Sequence, residues 1–431
     1  MAKVYLLSLG CPKNLVDSQG LLRKLGDKGM VYTPSPEESD ILVVNTCGFI
    51  EEAKRESIEE ILRIAGVKKA SSGNKKLIVY GCLAKRFGSE LKREIPEIDA
   101  LWGVGSEDEI VAYCESLRVP SAAGAGGAGV GTLLDGLPYA YLKIAEGCDR
   151  GCAYCVIPEI RGRFRSRDPE DVLVEAGALV RSGAKELIVI AQDITSYGKD
   201  LGGYDLTRLL REIGSMEGEF WIRLLYLYPT SVDEGLLELI ASEEKVCNYI
   251  DMPLQHSGEK ILKLMRRGGS RSYFEKLIRK IRRAVPDVSI RTTLIVGFPG
   301  ETDEDFDNLS EFVRKMEFDR LGAFTYSREE GTPAARFNGQ VTKRMKTERY
   351  YKLMEIQSAI SLAKNKALIG KTCKAIVEEI DGGIAVARLS SQAPEIDGVV
   401  FLEEKGLRKG TFVDIRITEA FDYDLKGTIV K

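Results

Sequence analysis

One histidine, His256, stands among 431 residues, so a metal site built on imidazoles is out of reach. Zinc wants four nitrogen or sulfur ligands, usually from paired C-x-x-C turns with or without histidine, and this chain serves it poorly. Charge of either sign is not in excess either. The 62 Lys and Arg against 65 Asp and Glu leave a net charge of −3, so no global basic field draws in nucleic acid. No apolar run reaches the length that spans a bilayer. The opening Met1–Cys11 is not read as a lipoprotein signal, because its apolar run is short and Ser8 stands three residues before Cys11, where such a signal wants leucine. It is read as a first core strand. Nine cysteines, an odd number, do not make a disulfide framework; they suit ligation in a reducing compartment, and the expected location is the cytoplasm. What remains is an ordinary soluble composition, 44% hydrophobic and 29% charged, long enough for two or three domains.

The stretch that organises the chain is Ala145-Glu-Gly-Cys-Asp-Arg-Gly-Cys-Ala-Tyr-Cys155. Cys148, Cys152 and Cys155 lie at C-x-x-x-C-x-x-C spacing in a loop with two glycines. Three thiolates this close can hold three corners of a 4Fe-4S cube and leave the fourth iron without a protein ligand. An open iron has little use in plain electron transfer, but the amino and carboxylate groups of S-adenosylmethionine can chelate it. With Tyr154 just before the last cysteine, the spacing resembles the radical-SAM signature, in which the aromatic lies beside the adenine.

The first third reads as strand–helix units. Residues 3–9, 41–46 and 77–81 are short aliphatic runs bounded by turn residues, as buried parallel strands should be, with helical patterns at 16–28, 51–64 and 83–93. Each strand is followed at once by a cysteine: Cys11, Cys47 and Cys82. In an open parallel sheet, ligands collect beyond the carboxyl ends of the strands, so the three thiols can converge on a second cluster. The plainer alternative is three buried structural cysteines.

Between 119 and 138 the composition turns to Ser, Ala and Gly, which reads as a flexible linker. The middle, 139–366, returns to strand–helix alternation, with strands expected at 139–145, 186–191, 220–225, 249–252, 288–296 and 321–325 and a long amphipathic helix at 343–366. Six such units make a parallel, incomplete barrel whose working face is the carboxyl ends of its strands. The cluster loop, Gln192-Asp193, Tyr228-Pro229, Gln255-His256, Gly297-Phe-Pro-Gly300 and Tyr326-Ser-Arg-Glu-Glu330 all follow those ends. The last stretch, 367–431, shows five short strands at 373–380, 384–389, 398–402, 412–420 and 425–430, which suggest a small OB-like barrel. Its eleven acidic against nine basic residues fit a basic protein partner better than a phosphate backbone.

Taken together, these residues resemble the radical-SAM methylthiotransferase family from end to end. The local motifs are similar to its RimO type: Leu9-Gly-Cys-Pro-Lys-Asn14, Asn45-Thr-Cys-Gly-Phe-Ile-Glu-Glu-Ala-Lys54, Ala145-Glu-Gly-Cys148, Gln192-Asp193, Asp251-Met-Pro-Leu-Gln-His256 and Tyr326-Ser-Arg-Glu-Glu-Gly-Thr-Pro333. The MiaB type, which modifies an adenosine of tRNA, is expected to carry Gly-Cys-Gln-Met-Asn at the first cysteine and a Pro-Val-Gln-Ser-Gly-like segment where His256 stands; it is the alternative. The resemblance implies an α/β chain with an N-terminal open parallel, flavodoxin-like sheet domain (1–118), a linker (119–138), a central partial (β/α)6 radical-SAM barrel (139–366) and a C-terminal OB-like β-barrel, TRAM (367–431).

It also implies two 4Fe-4S clusters, the radical-SAM cluster on Cys148, Cys152 and Cys155 and an auxiliary, sulfur-carrying one on Cys11, Cys47 and Cys82. Two S-adenosylmethionine molecules serve, one as methyl donor and one as source of a 5′-deoxyadenosyl radical. The implied product is a methylthio group on the β-carbon of an aspartate in the twelfth small-subunit ribosomal protein. An electron donor and a sulfur donor are implied without being identified; nucleic acid and membrane are not required. Tyr154 is expected to bracket the adenine, Gln192 to hydrogen-bond polar groups of S-adenosylmethionine, and Gly297 and Gly300 to let backbone approach the adenine closely, with an ordinary strand-to-helix turn as the other reading of the two glycines. His256 is read as a hydrogen-bonded structural residue, with substrate contact as the other reading. The basic run Arg161–Arg167 is read by default as a solvated loop, with a docking or cofactor-carboxylate role open. Cys114, Cys247 and Cys373 are read as plain core or surface thiols.

Overall fold

The computed structural model describes residues 1–71, 74–117, 136–404 and 406–430. All but the last three residues of the expected linker therefore lie outside the described residues. Two compact units are present, Met1–Asp135 with Cys155–Arg163, and Gly136–Tyr154 with Phe164–Lys431.

In the first unit, short apolar runs alternate with helices: β1 (Lys3–Ser8), α1 (Pro12–Asp27), β2 (Val31–Tyr32), β3 (Ile41–Thr46), α2 (Glu51–Ala70), β4 (Lys76–Gly81), α3 (Cys82–Glu94), β5 (Ala100–Leu101) and α4 (Glu107–Ser116). The five strands are all parallel in the order β2-β1-β3-β4-β5, the flavodoxin-like doubly wound arrangement expected from the sequence. Both faces of the sheet are covered. Leu42, Val44, Leu77 and Val79 pack with Ile61, Ile64 and Leu91 on one side; Val4, Leu6, Val43 and Ile78 pack with Leu21, Leu25 and Ile110 on the other. That is why β3 is buried at every position and reads as a continuous apolar run instead of an alternating one. The short helix α5 (Ile157–Arg161) also packs in this unit, with Ile160 against Cys82.

The second unit holds the six expected parallel strands: β6 (Tyr139–Lys143), β9 (Glu186–Ile190), β10 (Trp221–Leu224), β11 (Tyr249–Asp251), β12 (Ser289–Val296) and β13 (Arg320–Thr325). A two-residue ribbon pairs β7 (Ala145–Glu146) with β8 (Arg165–Ser166). The strands form two three-stranded sheets, β10-β9-β6 and β11-β12-β13, so the partial barrel is interrupted between β10 and β11. The helices α6 (Pro169–Arg181), α7 (Leu206–Gly214), α8 (Glu234–Ser242), α9 (Glu259–Leu264), α10 (Arg271–Ala284) and α11 (Asp303–Met316) close one large core with the strands. Helix α12 (Lys343–Lys366) has the bounds expected from its pattern. After it, β14 (Thr372–Asp381), β15 (Ile384–Leu389), β16 (Val400–Leu402), β17 (Phe412–Ala420) and β18 (Leu425–Ile429) close into a barrel in the order β14-β15-β16-β18-β17. This is the OB-like barrel expected from the sequence.

Two triads of cysteine at strand ends

Because β1, β3 and β4 are adjacent, Cys11, Cys47 and Cys82 stand at the carboxyl ends of three neighbouring strands. Gly10 lies against Cys47: a Cβ there would stand 2.6 Å from the Cys47 Cβ and 2.8 Å from its Sγ. A polar frame fixes the loops. Asn14 Nδ2 donates to the carbonyls of Leu9 (2.9 Å) and Thr46 (3.1 Å), and Asn45 Nδ2 donates to the Asn14 carbonyl (2.8 Å). Ser57 Oγ donates to the Cys47 carbonyl (2.9 Å) and accepts from its N–H (3.0 Å). Burial pushes the Cys47 thiol up and the Cys82 thiol to about 12; the nearby Arg161 guanidinium opposes both shifts. Ligands of a cluster must be thiolates, so a cluster held by these cysteines would release protons on binding.

Arg161 is the clearest departure from the sequence reading. It is 8% exposed and not in a solvated loop. Its Nη2 donates to Asn14 Oδ1 at 2.6 Å, pairs with Asp17 at 3.1 Å and lies 3.9 Å from Cys82 Sγ. The basic run thus begins with a side chain that neutralises the surroundings of the first triad. Its partner in sequence, Arg167, donates to the Lys143 carbonyl (2.7 Å) and pairs with Glu175.

The second triad sits in the loop after β7. Ala153 anchors that loop on both sides: its N–H donates to the Met265 carbonyl, and its carbonyl accepts from Ala334, each at 2.9 Å. Arg150 Nε donates to Asp193 Oδ2 (2.7 Å), and its Nη2 reaches Ser231 Oγ (2.9 Å). Arg267 Nη1 lies 3.7 Å from Cys152 Sγ. Burial raises the Cys148 thiol, and the Ile157 N–H points at Cys155 Sγ (3.4 Å).

Of the expected S-adenosylmethionine contacts, Tyr154 packs edge-on against Phe298, with ring centroids 6.4 Å apart. Gln192 Nε2 donates to Glu146 Oε1 (3.0 Å), while its Oε1 is buried with no partner. A Cβ on Gly297 would collide with Cγ of the Lys346 side chain, which occupies that side. Gly300 donates to the Gly339 carbonyl. His256 is fully buried and its Nδ1 accepts from the Gly258 N–H (2.8 Å). Sequence reasoning gave no role to Glu146, Arg150 or Arg267, and marked Asp193 and Tyr228 only by their place after strand ends. Glu146 and Arg150 lie inside the cluster motif and Asp193 beside Gln192, so adjacency was the available signal.

Among the described residues, no three His, Cys, Asp or Glu side chains close on one point as the ligands of a single metal ion do. Thiolates bound to separate irons of a cube stand farther apart, and an all-thiol donor set with no carboxylate or imidazole suits iron and sulfide better than a hard cation. The orphaned Gln192 oxygen offers an acceptor for a bound amino group. The residues present fit the cluster and its ligand.

The fold belongs with enzymes of the radical S-adenosylmethionine class. The profile of the Radical SAM superfamily matches residues 142–313, that of uncharacterized protein family UPF0004 matches 3–103, and that of the TRAM domain matches 369–430. Among solved structures, TsrM from Kitasatospora setae, a radical S-adenosylmethionine methyltransferase, superposes with a TM-score of 0.59 at 14% identity, covering 84% of this chain and 89% of that one. The cobalamin-dependent S-adenosylmethionine radical enzyme OxsB gives 0.54 at 12%, covering 84% and 56%. Identities this low carry the fold alone.

Relatives take the assignment further. Proteins named ribosomal protein uS12 methylthiotransferase RimO are 50% identical over 431 residues in Thermodesulfovibrio yellowstonii (100% of both chains) and 47% identical in Geobacter sulfurreducens (99% of this chain, 98% of that one). The chain belongs to the family of ribosomal protein uS12 methylthiotransferases RimO. It is a methylthiotransferase that uses S-adenosylmethionine and 4Fe-4S clusters.

Proposed function

We propose that this chain places a methylthio group on the β-carbon of an aspartate in ribosomal protein uS12, and that it does not act on tRNA. The observation that carries the chemistry is the placement of Cys11, Cys47 and Cys82 on three adjacent strand ends. The family name of the relatives supports the substrate.

In this reading Cys148, Cys152 and Cys155 hold one cluster, and Cys11, Cys47 and Cys82 hold the other. With S-adenosylmethionine bound, the clusters supply one-electron chemistry strong enough to open a carbon–hydrogen bond that no side-chain base can deprotonate, and they carry the sulfur. The protein's part is positional. Ala153 holds the cluster loop from two sides, Gln192 Oε1 would accept from the amino group of S-adenosylmethionine, and Glu146 holds the Gln192 amide in the orientation that leaves that oxygen free. Tyr154, packed edge-on against the fully buried Phe298, is the aromatic that would lie beside the adenine. Arg161 compensates thiolate charge at the first triad.

The reading includes an electron donor and a sulfur donor and places the protein in the cytoplasm. Among the described residues no helix is long and apolar enough to cross a membrane.

The test offers anaerobic enzyme, reconstituted with iron and sulfide and given S-adenosylmethionine and dithionite, two substrates in parallel. Ribosomal protein uS12 is read by peptide mass spectrometry and unmodified tRNA by nucleoside analysis. A methylthio group on an aspartate with untouched tRNA is expected; the converse overturns the substrate. Cys152→Ala is expected to abolish cleavage of S-adenosylmethionine. Cys47→Ala is expected to keep cleavage, lose one cluster's iron and form no methylthio product.

A further inference from the structure

Most buried or half-buried arginines of the second unit have a carboxylate. Arg223 and Arg388 share Glu186, Arg349 has Glu301, Arg291 has Asp251, and Arg150 has Asp193. Arg267 does not. Its Nη2 donates to the Pro253 carbonyl, its Nε is buried without a partner, and its Nη1 is aimed at the sulfur of Cys152, 3.7 Å away. Its guanidinium also lies over the ring of Tyr228, 4.5 Å from the centroid, and the guanidinium of Arg150 lies over the same ring at 3.7 Å. Two cations on one neutral ring repel each other, and only Arg150 carries its own carboxylate. A desolvated cation without an anion is strongly disfavoured unless something supplies the charge. Among its contacts in the described residues, the Cys152 sulfur is the one that a bound cluster would hold as a thiolate.

We infer that Arg267 is a positioning residue whose counter-ion is the iron–sulfur cluster on Cys148, Cys152 and Cys155, and that it sets that cluster's reduction potential through its N–H to the Cys152 sulfur. The inference rests on the ligand assignment of the proposed function. The physical reason is direct. Reduction adds one negative charge to the cluster, and a nearby guanidinium with an N–H on a ligand sulfur stabilises the reduced form more than the oxidised one. The potential is therefore higher with Arg267 than without it. The stack fixes the fork. Tyr228 is held by the Gly268 N–H on its hydroxyl (3.2 Å), and Arg150 is held by Asp193 and Ser231. A lysine keeps the charge but loses the planar stack and the aimed N–H.

The experiment is an EPR-monitored redox titration of the anaerobic holoenzyme, following the signal that changes when S-adenosylmethionine is added. The midpoint is expected to fall in the order parent, Arg267→Lys, Arg267→Leu, with iron and sulfide per chain unchanged. An Arg267→Leu protein that keeps its iron and its midpoint overturns the inference, as does a midpoint that rises. If Arg267→Leu loses its iron, the parent and Arg267→Lys decide: a lower midpoint in the lysine variant supports the inference and an equal one overturns it. Methylthiolation of uS12 is assayed separately. A shifted midpoint in an enzyme that never modifies uS12 keeps this inference and removes the substrate reading. A chain with no signal that responds to S-adenosylmethionine removes the ligand assignment and this inference together.

Discussion

At His256 the sequence left two readings, and burial separates them. The ring is fully enclosed, Nδ1 accepts from the Gly258 N–H, and Nε2 stands 3.7 Å from a Glu301 oxygen with no hydrogen-bond partner. Burial lowers the pKa from 6.5 to about 4, outweighing the pull of Asp305, so the imidazole stays neutral at ordinary pH. The unfolded chain takes up this proton near 6.5 and the folded chain only near 4. Between those values the unfolded state binds more protons, so stability falls as the pH drops through that window, by up to about 3 kcal/mol at its lower end. His256→Asn keeps an acceptor for Gly258 and removes the titration. Its denaturation free energy should therefore lose less than the parent's between pH 6.5 and 4. Parallel curves for the two proteins would mean that the histidine ionises inside the fold.

What could be read in advance follows a simple division. Cys11, Cys47 and Cys82 each follow their own strand in sequence, so the information is local, and the parallel pattern told which end of the sheet they share. The buried role of Arg161 depends on Asp17, 144 residues earlier, and on Asn14, and no local pattern carries that. Arg267 was hidden for the same reason: Cys152 and Tyr228, which the fold brings beside it, lie far from it in sequence.

At the level of elements, the loops between strand and helix are tighter than the thiols they carry. Gly10 has φ +91°, in the region that favours glycine, and its absent Cβ leaves room for Cys47. Cys82 opens α3, where the helix N-terminus favours a thiolate while burial opposes it. Gly10→Ala costs about 1 kcal/mol or more for the backbone alone. It must also move Cys47, since two Cβ atoms 2.6 Å apart cannot coexist. The expected result is a folded protein whose iron and sulfide deficit matches that of Cys47→Ala, with no further loss in the double variant. Full cluster content in Gly10→Ala would mean that the β1 turn is free to open and that the triad tolerates it.

In the second unit as a whole, chemistry and cohesion occupy opposite ends of the same strands. The cluster loop, Gln192 and His256 follow carboxyl ends, while the OB-like barrel is fastened to amino ends. Tyr139 opens β6 and donates to Glu395, Tyr249 opens β11 and donates to Asp397, and Ser289 opens β12 and donates to the Ser391 carbonyl. The centre is ionic: Glu186, the first residue of β9, binds Arg223 of β10 and Arg388 of β15, and all three side chains are about 0–1% exposed. Glu378 adds a second carboxylate to Arg388 at 2.7 Å. Burial alone would raise the Glu186 pKa, but the two guanidiniums outweigh it and hold it below its ordinary value. This carboxylate therefore contributes stability at neutral pH and loses it only as the pH falls through that lowered value.

A buried network of this kind is weak support against a well-packed apolar alternative, yet costly to break on one side. Glu186→Gln leaves two guanidiniums enclosed with one carboxylate between them and should destabilise the unit by about 3–5 kcal/mol. Replacing Glu186, Arg223 and Arg388 together by leucine and methionine should cost far less than that single change. Guanidinium denaturation of the three proteins, following Trp221, which packs 4.9 Å from Phe412 of the barrel, reads the comparison at the joint itself. If the single variant is as stable as the parent, the charges at the joint are solvated, and the barrel is held by its apolar and hydroxyl contacts instead.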